Sequence, residues 1–226
     1  HPEFAFLPRK FKIAFNGAAE DRAATGWYDI GLQALTNDAG EVGFTVKVGG
    51  GMGRTPIIGP VVREFLPWDR LLNYVEAIVR VYNRYGRRDN KWKARIKILV
   101  KAEGQRFIDE VEAEYRAIVE QDGAPHTITP AELVRVQASF VQPELRRANL
   151  PSEVSITARP FQRWLTQNVR THRIAGLSVV TLSFKRPGWA PGDADADTLD
   201  ALADLAEQFS AGEARLTHEQ NLLLPW

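Results

Sequence analysis

The chain has 226 residues, of which 44% are hydrophobic and 25% charged, a composition typical of a globular protein rather than a disordered one. Its net charge of +1 argues against a general nucleic-acid binder, so any role for charge must be local. The absence of cysteine excludes disulfides, thiolate metal sites and cysteine nucleophiles within these residues. No apolar run approaches the roughly 20 residues that span a bilayer, so we expect a cytoplasmic protein without a membrane partner.

The first part of the chain begins with strand patterns. Alternation of apolar and polar residues predicts strands at 11–16, 28–36 and 42–48. The connections between them are rich in turn-forming residues such as Gly, Asn and Asp. The sequence therefore predicts a sheet in this part of the protein.

Helical periodicity follows these strands. It predicts four helices, at 56–66, near 69–85, within 92–120 and at 129–138. Gly86 is the predicted stop of the second of these helices. Thr129 is the predicted N-cap of the last one, with Pro130 in its first turn.

A change of composition near 146–155 indicates a boundary between domains at 1–150 and 155–226. The second part is read as strand, strand, helix and strand, with Asp197 capping a helix near 198–209. Such a unit suggests half of a ferredoxin-like sandwich. The predicted fold class is α+β with mixed α/β layers.

Two lysines lie in the first predicted strand. Alternation places Lys10 and Lys12 on one face, with Phe11, Ile13 and Phe15 on the other. Their Cα atoms would be roughly 6–7 Å apart, so the ammonium groups could straddle a small dianion or a cofactor carboxylate. The alternative is a strand whose exposed edge is protected by lysine.

A glycine-rich stretch, GGGMGRTP at 49–56, follows the third predicted strand. Glycines allow backbone N–H groups to approach a ligand, and Arg54 could pair with an oxyanion. The stretch matches neither a P-loop nor the dinucleotide motif G-x-G-x-x-G. The alternative is a tight connection from a strand to a helix.

Two further features favour a structural interpretation. A basic tract is predicted to be a solvated face, and it contains Arg80, Arg84, Arg87, Arg88, Lys91, Lys93, Arg95 and Lys97. The four histidines show no H-x-x-x-H or H-E-x-x-H pair, so no metal site is predicted.

Three stretches together carry a family resemblance: LPRKFKIAF at 7–15, VGGGMGRTP at 48–56 and THEQNLLLP at 217–225. Their combination closely resembles the nitrite/sulfite reductase family, the enzymes that carry sirohaem and a [4Fe–4S] cluster. Their order and separation fit the middle of such a chain. The resemblance, together with a start at His1 without Met, implies an internal piece of a longer protein.

The resemblance implies a fold and an activity. Residues 1–150 resemble most of the first catalytic half, lacking its start, and residues 155–226 the second ferredoxin-like half-domain, lacking its end. The family reduces sulfite to sulfide or nitrite to ammonia with six electrons. The implied partners are that anion and an electron donor, either ferredoxin or a flavoprotein that uses NADPH.

The resemblance also implies a role for the two lysines. In the family, the two lysines of the PRKFK stretch face the anion bound to sirohaem, so Lys10 and Lys12 are the implied catalytic residues. Neutralising the anion and relaying protons would suit them. The remaining candidates are implied cofactor-binding residues that would hold the carboxylates of sirohaem: Arg9, Arg54, Arg215, Thr217, Gln220 and Asn221.

The sequence departs from the family in two large respects. The family's four cluster cysteines are absent, and the upstream arginines of the anion pocket would precede His1. We therefore expect this piece to be inactive alone, to bind neither sirohaem nor cluster, and to self-associate through apolar surface. The alternative function is a non-redox module that binds anions or a partner on the same fold.

Overall fold

The computed structural model describes residues 2–145 and 158–226, and the chain divides into two compact units, His1–Ser139 and Phe140–Trp226. The predicted boundary at 146–155, and with it the domain limits at 150 and 155, lies outside the described residues. Each unit combines a sheet with helices, so the predicted α+β fold class is confirmed.

The sheet of the first unit has four strands: β1 (Ile13–Asn16), β2 (Ile30–Thr36), β3 (Val42–Val48) and β4 (Val61–Pro67). Their order is β1-β2-β3-β4, with β1 parallel to β2 and the other pairs antiparallel. The three predicted strands are confirmed, although β1 and β2 each begin two residues later than predicted. Residues 10–12 therefore precede β1 rather than belonging to it.

The helix predicted at 56–66 is wrong, because this segment leads into β4. Pro60 immediately precedes the strand, and Val61 and Val62 are β-branched, which disfavours a helix and favours a strand. β4 pairs with β3, where Phe44 lies opposite Leu66. The apolar spacing that resembled a helix reflects a strand that buries Leu66 against the core.

Four helices follow in the described part of this unit: α1 (Leu71–Tyr85), α2 (Ile96–Glu103), α3 (Gln105–Glu120) and α4 (Pro130–Gln137). α1 stops as predicted at Gly86, whose N–H donates to the carbonyl of Tyr82 at 2.8 Å. The single helix predicted within 92–120 is two helices, because Gly104 adopts a φ of 54° between them. None of the helices in 2–145 or 158–226 is long and apolar enough to cross a membrane.

The core of the first unit lies between the sheet and helices α1–α3. The strands contribute buried apolar side chains from β2, β3 and β4, and the helices cover them with aromatic and aliphatic groups. The largest fully buried members are Tyr74, Tyr82, Phe107, Ile30, Leu66, Ile78, Ile96 and Ile118. Burial of a fully enclosed side chain of this size stabilises by about 1.5–3 kcal/mol. This packing gives the site described below a rigid base.

The second unit contains α5 (Arg159–Asn168), β5 (Val169–Thr171), β6 (Ser178–Ser183), α6 (Ala196–Phe209), β7 (Arg215–Leu216) and β8 (Asn221–Leu224). Its sheet is antiparallel in the order β5-β6-β8-β7. The predicted helix is present, but its N-cap is Asp195 and not Asp197, since Asp195 accepts the N–H of Thr198 at 2.8 Å. Helix α5 was not predicted, and the order β5, β6, α6 and β7 that follows it agrees with the predicted strand, strand, helix and strand.

Thr129 caps α4 as predicted, because its hydroxyl accepts the N–H of Glu132 at 3.2 Å. Replacing Thr129 by alanine should lower the free energy of unfolding by about 1 kcal/mol, since an N–H of the first turn loses its partner. Urea unfolding of the chain measures this change. Thr129→Ser keeps the hydroxyl and should stay close to the wild-type value, and an equal loss in both variants would contradict the cap.

Candidate functional site

Lys10 and Lys12 lie just before β1, with exposed side chains. Within the described ranges, neither ammonium group makes an ion pair or a hydrogen bond. Two uncompensated cations separated by one residue favour an anion as their external partner. Their role as catalytic residues stays a prediction.

The predicted alternation around these lysines is wrong in part. Ile13 and Phe15 are 47% and 54% exposed, whereas Ala14 and Asn16 are buried. Phe11 does pack against the core, where its ring stacks on Tyr82 with centroids 6.3 Å apart. The pattern breaks because β1 begins only at Ile13, so the side-chain alternation of a strand does not run through residues 10–12.

The backbone of Lys12 is fixed by a buried carboxylate. Its N–H donates to Oδ2 of Asp29 at 3.0 Å, and its carbonyl accepts the N–H of Ile30 at 3.1 Å. Asp29 has no solvent exposure, and its carboxylate accepts hydrogen bonds from both Nε and Nη2 of Arg95, each at 2.9 Å. Burial raises the pKa of the Asp29 carboxyl, while Arg95 and the Lys12 N–H oppose that rise.

The glycine-rich stretch is anchored on the same residue. The N–H of Gly49 donates to the carbonyl of Asp29 at 2.9 Å, and Gly51 exchanges two backbone hydrogen bonds with Ile57. The stretch leads from β3 to β4, so the alternative of a connection to a helix is wrong. Arg54 is exposed and, in the part of the chain that the structure describes, has no partner.

Lys97 holds this stretch from α2. Its ammonium donates to the carbonyls of Met52 at 3.0 Å and Thr55 at 2.6 Å, and the residue is only 7% exposed. Burial lowers the pKa of Lys97, and the charge of Arg95 lowers it further. The sequence alone did not indicate these roles of Arg95 and Lys97, because their partners lie far away along the chain.

The interpretation of the basic tract as a solvated face is therefore wrong for several of its members. Arg80 contacts Glu76 at 2.8 Å and Glu114 at 3.1 Å, while Arg95 is half-buried against Asp29 and Lys97 is buried beneath the glycine-rich stretch. These cations serve the internal structure of the unit. They are not the ones available to a ligand.

Arg9, a predicted cofactor-binding residue, is held beside a tryptophan. Its Nη1 donates to the carbonyl of Lys91, and its guanidinium lies 5.9 Å from the ring centroid of Trp92. Lys91 approaches the same ring at 5.1 Å. Arg9 therefore has a fixed direction but keeps donors that these contacts do not use.

The other predicted cofactor residues lie together in the hairpin β7–β8 of the second unit. Arg215 pairs with Glu213 and lies 5.7 Å from the ring centroid of Trp226. Thr217 accepts the N–H of Asn221 at 3.1 Å through its hydroxyl, which closes the turn. Thr217 is thus engaged in the hairpin itself.

The remaining two hairpin candidates are also held in place. Gln220 has a φ of 56°, and its side chain donates to the carbonyl of His218 at 3.0 Å. The Asn221 side chain accepts a hydrogen bond of 2.7 Å from the ammonium of Lys185, which also bonds the carbonyl of Glu219. Sequence reasoning did not identify Lys185, whose only signal is its position after β6.

Sirohaem, the cofactor that the resemblance implies, is rich in carboxylates, so its site requires cations and N–H donors. The donor set of the first unit fits this requirement, because Lys10, Lys12 and Arg54 are exposed cations without a partner in residues 2–145 and 158–226. The hairpin fits less directly, since Arg215 and Asn221 already have partners within their own unit.

Curated relatives share the sequence at low identity. The chain is 28% identical to "Sulfite reductase [ferredoxin] 1" of Mycolicibacterium paratuberculosis, over 99% of this chain and 34% of the relative. It is 29% identical to the "Assimilatory ferredoxin-dependent nitrite reductase" of Haloferax mediterranei, over 95% of this chain and 33% of the relative. The chain thus spans about a third of the length of these relatives.

A solved structure shows the same fold. The Mycobacterium tuberculosis NirA protein matches 99% of this chain and 34% of its own chain, with a TM-score of 0.60 and 24% identity. Family models match at two places: "Nitrite and sulphite reductase 4Fe-4S domain" at residues 1–118 and "Nitrite/Sulfite reductase ferredoxin-like half domain" at residues 181–226. Enzymes of this family carry sirohaem and a [4Fe–4S] cluster. The chain belongs to the nitrite/sulfite reductase family.

Proposed function

We propose that this chain is part of a sirohaem-dependent reductase that converts sulfite to sulfide or nitrite to ammonia. Within it, Lys10 and Lys12 face the anion. The observation that carries the proposal is that both ammonium groups are exposed and, among the described residues, unpaired, on a backbone fixed to the buried Asp29. Relatives named for sulfite and for nitrite support either substrate.

The chemistry explains why cations are needed. Reduction of either anion consumes electrons and protons while its oxygen atoms leave as water. Bound sirohaem would supply the iron that binds the anion and brings electrons to it. The Nζ groups of Lys10 and Lys12 would neutralise the negative charge and hold protons beside the departing oxygen. A charged donor placed where charge develops stabilises the transition state of such a step.

The cofactor-binding roles form a second part of the proposal. We infer that Arg9 and Arg54 of the first unit bind carboxylates of sirohaem. For the hairpin of the second unit we infer the same role for Arg215, Thr217, Gln220 and Asn221. Arg54 supports this best, because its guanidinium is exposed and has no partner in the part of the chain that is described. The electron donor proposed for the whole enzyme is ferredoxin or a flavoprotein, and the cytoplasmic location stays a proposal as well.

The 226 residues alone should be colourless, contain no iron and reduce neither anion. They contain no cysteine, and a [4Fe–4S] cluster needs thiolate ligands. We infer that those ligands come from residues beyond these 226. Iron analysis and the visible spectrum of the purified chain test this expectation. Iron in stoichiometric amount would contradict it.

The function itself is tested on the full-length protein. A sirohaem absorbance, cluster cysteines in the pattern C-x5-C and C-x3-C, and reduction of sulfite or nitrite by a reduced donor are the expected results. A full-length protein without those cysteines and without sirohaem would instead support the alternative, a non-redox module that binds anions. If the protein does reduce these anions, comparing its rates with sulfite and with nitrite would identify the preferred substrate.

A further inference from the structure

We infer that the buried Asp29–Arg95 pair is a positioning device for Lys12, which holds the lysine segment where it can meet an anion. The inference rests on the proposed role of the lysines and deepens it. Neither residue is assigned a contact with the anion. Both would act through the backbone of Lys12, which donates its N–H to Oδ2 of Asp29 at 3.0 Å.

The lysine segment needs such a device because the sheet holds it on one side only, through the N–H of Ile30 in β2. β1 begins at Ile13, so the Lys12 carbonyl takes part in the first bond with β2, while the Lys12 N–H has no partner in that strand. The Lys12 backbone is clamped on both sides, by the carboxylate of Asp29 and by the N–H of Ile30, which donates to the Lys12 carbonyl at 3.1 Å. The side-chain carboxylate thus supplies the acceptor that a neighbouring strand would otherwise provide.

Both oxygens of the carboxylate accept hydrogen bonds in this arrangement. Oδ1 accepts Nε of Arg95, and Oδ2 accepts both Nη2 of Arg95 and the N–H of Lys12. Asp29 has no exposure, and the Arg95 side chain is 19% exposed. A buried ion pair is a poor source of net stability, because desolvation offsets most of its attraction. Its bond to the Lys12 N–H gives the pair a second effect, which is to fix the direction of the lysine segment.

Residue 29 also joins the lysine segment to the glycine-rich stretch. Its carbonyl accepts the N–H of Gly49, while Lys97, two residues after Arg95, bonds the carbonyls of Met52 and Thr55. The start of α2 therefore fixes both exposed segments that carry unpaired cations. Of these two segments, the lysine segment bonds the Asp29 side chain, whereas Gly49 bonds the Asp29 carbonyl. Changing the Asp29 side chain should therefore disturb Lys12 first.

The chain offers a matched control in a second ion pair. Arg63 donates to both carboxylate oxygens of Glu112, at 3.0 and 2.8 Å, and Glu112 also accepts the hydroxyl of Tyr74. This pair also joins one guanidinium to both carboxylate oxygens, although through Nη1 alone and not through two nitrogens. It makes no bond to the lysine segment, and it is more exposed. If Asp29–Arg95 were only structural, breaking either pair would have the same kind of effect.

The first test measures backbone exchange in the full-length protein. In Asp29→Asn, an NH₂ group replaces one carboxylate oxygen. This group cannot accept the hydrogen bonds that the wild-type carboxylate receives from Arg95 and from the N–H of Lys12. Amide hydrogen exchange at Lys12 should become about tenfold faster or more, as expected for a lost bond to a charged group. Glu112→Gln should leave it unchanged. Equal exchange at Lys12 in both variants would overturn the inference.

The second test couples position to activity, with turnover corrected for haem content. Asp29→Asn should lower turnover, and its effect should be strongly non-additive with Lys12→Met, since both act through one side chain. If Lys12→Met lowers turnover but Asp29→Asn does not, the positioning inference fails and the proposed function stands. If Lys12→Met has no effect, the proposed function fails, and the exchange result still decides whether Asp29 clamps Lys12.

A third variant covers the case in which Asp29→Asn does not fold. Arg95→Lys keeps a positive charge beside Asp29 but cannot donate to both of its oxygens from one rigid fork. It should speed exchange at Lys12 less than Asp29→Asn would, yet clearly more than Glu112→Gln. Exchange at Lys12 equal to the wild type in Arg95→Lys would overturn the role of Arg95.

Discussion

Replacing Lys12 by methionine in the full-length protein is expected to lower turnover of sulfite or nitrite by about 10²–10³-fold, the cost of removing one preorganised donor from a developing charge. Methionine keeps much of the aliphatic stem and removes the ammonium. Lys10→Met should act in the same direction, since both side chains are exposed and lack an ion pair within the described residues. Steady-state rates corrected for haem content measure the effect.

Lys93→Met is the matched control for both lysine variants. Lys93 is an exposed lysine of the same unit that lies outside the PRKFK stretch and has no assigned role in the site. It should retain near wild-type turnover, with stability changed by no more than about 0.5 kcal/mol. Haem content should be similar in all three variants. Wild-type turnover in both Lys10→Met and Lys12→Met would end the catalytic proposal.

Gly50→Ala should strongly lower the stability of the first unit. A methyl group at this position would overlap the carbonyl oxygen of Gly26 and lie 2.7 Å from that of Tyr28. Both obstacles are backbone atoms, which cannot rotate away as a side chain can. We expect the free energy of unfolding to fall by about 3 kcal/mol or more, the upper range for overpacking. Urea unfolding followed by circular dichroism measures the loss.

Gly17→Ala provides the control for this substitution. No heavy atom lies within 4 Å of a methyl group built on Gly17, and its φ lies outside the left-handed region. Its free energy of unfolding should change by no more than about 0.5 kcal/mol. If Gly50→Ala were as stable as Gly17→Ala, the described packing of the glycine-rich stretch would be incorrect.

Several features could be predicted from the amino-acid sequence alone, because they depend on residues that are neighbours in the sequence. The three motifs identified the family. Alternation located β2 and β3, and periodicity located α1 with its stop at Gly86. The Thr129 cap was recognisable because its acceptor and donor are three residues apart. The exposure of the Lys10 and Lys12 side chains agrees with the face that alternation predicts for them, although the exposure of Ile13 and Phe15 does not.

Other features depend on partners that are distant in the sequence. Arg95 and Asp29 are 66 residues apart, and Lys97 reaches carbonyls 42 and 45 residues away, so a local reading assigned both cations to a solvated face. The predicted helix at 56–66 is wrong because the strand conformation of β4 is stabilised by pairing with β3, which local apolar spacing does not indicate. Charge and apolar spacing specify what a segment can do locally. Which atoms meet it in the folded chain depends on the packing of the whole unit, and that is why the clamp on Lys12 emerged only from the structure.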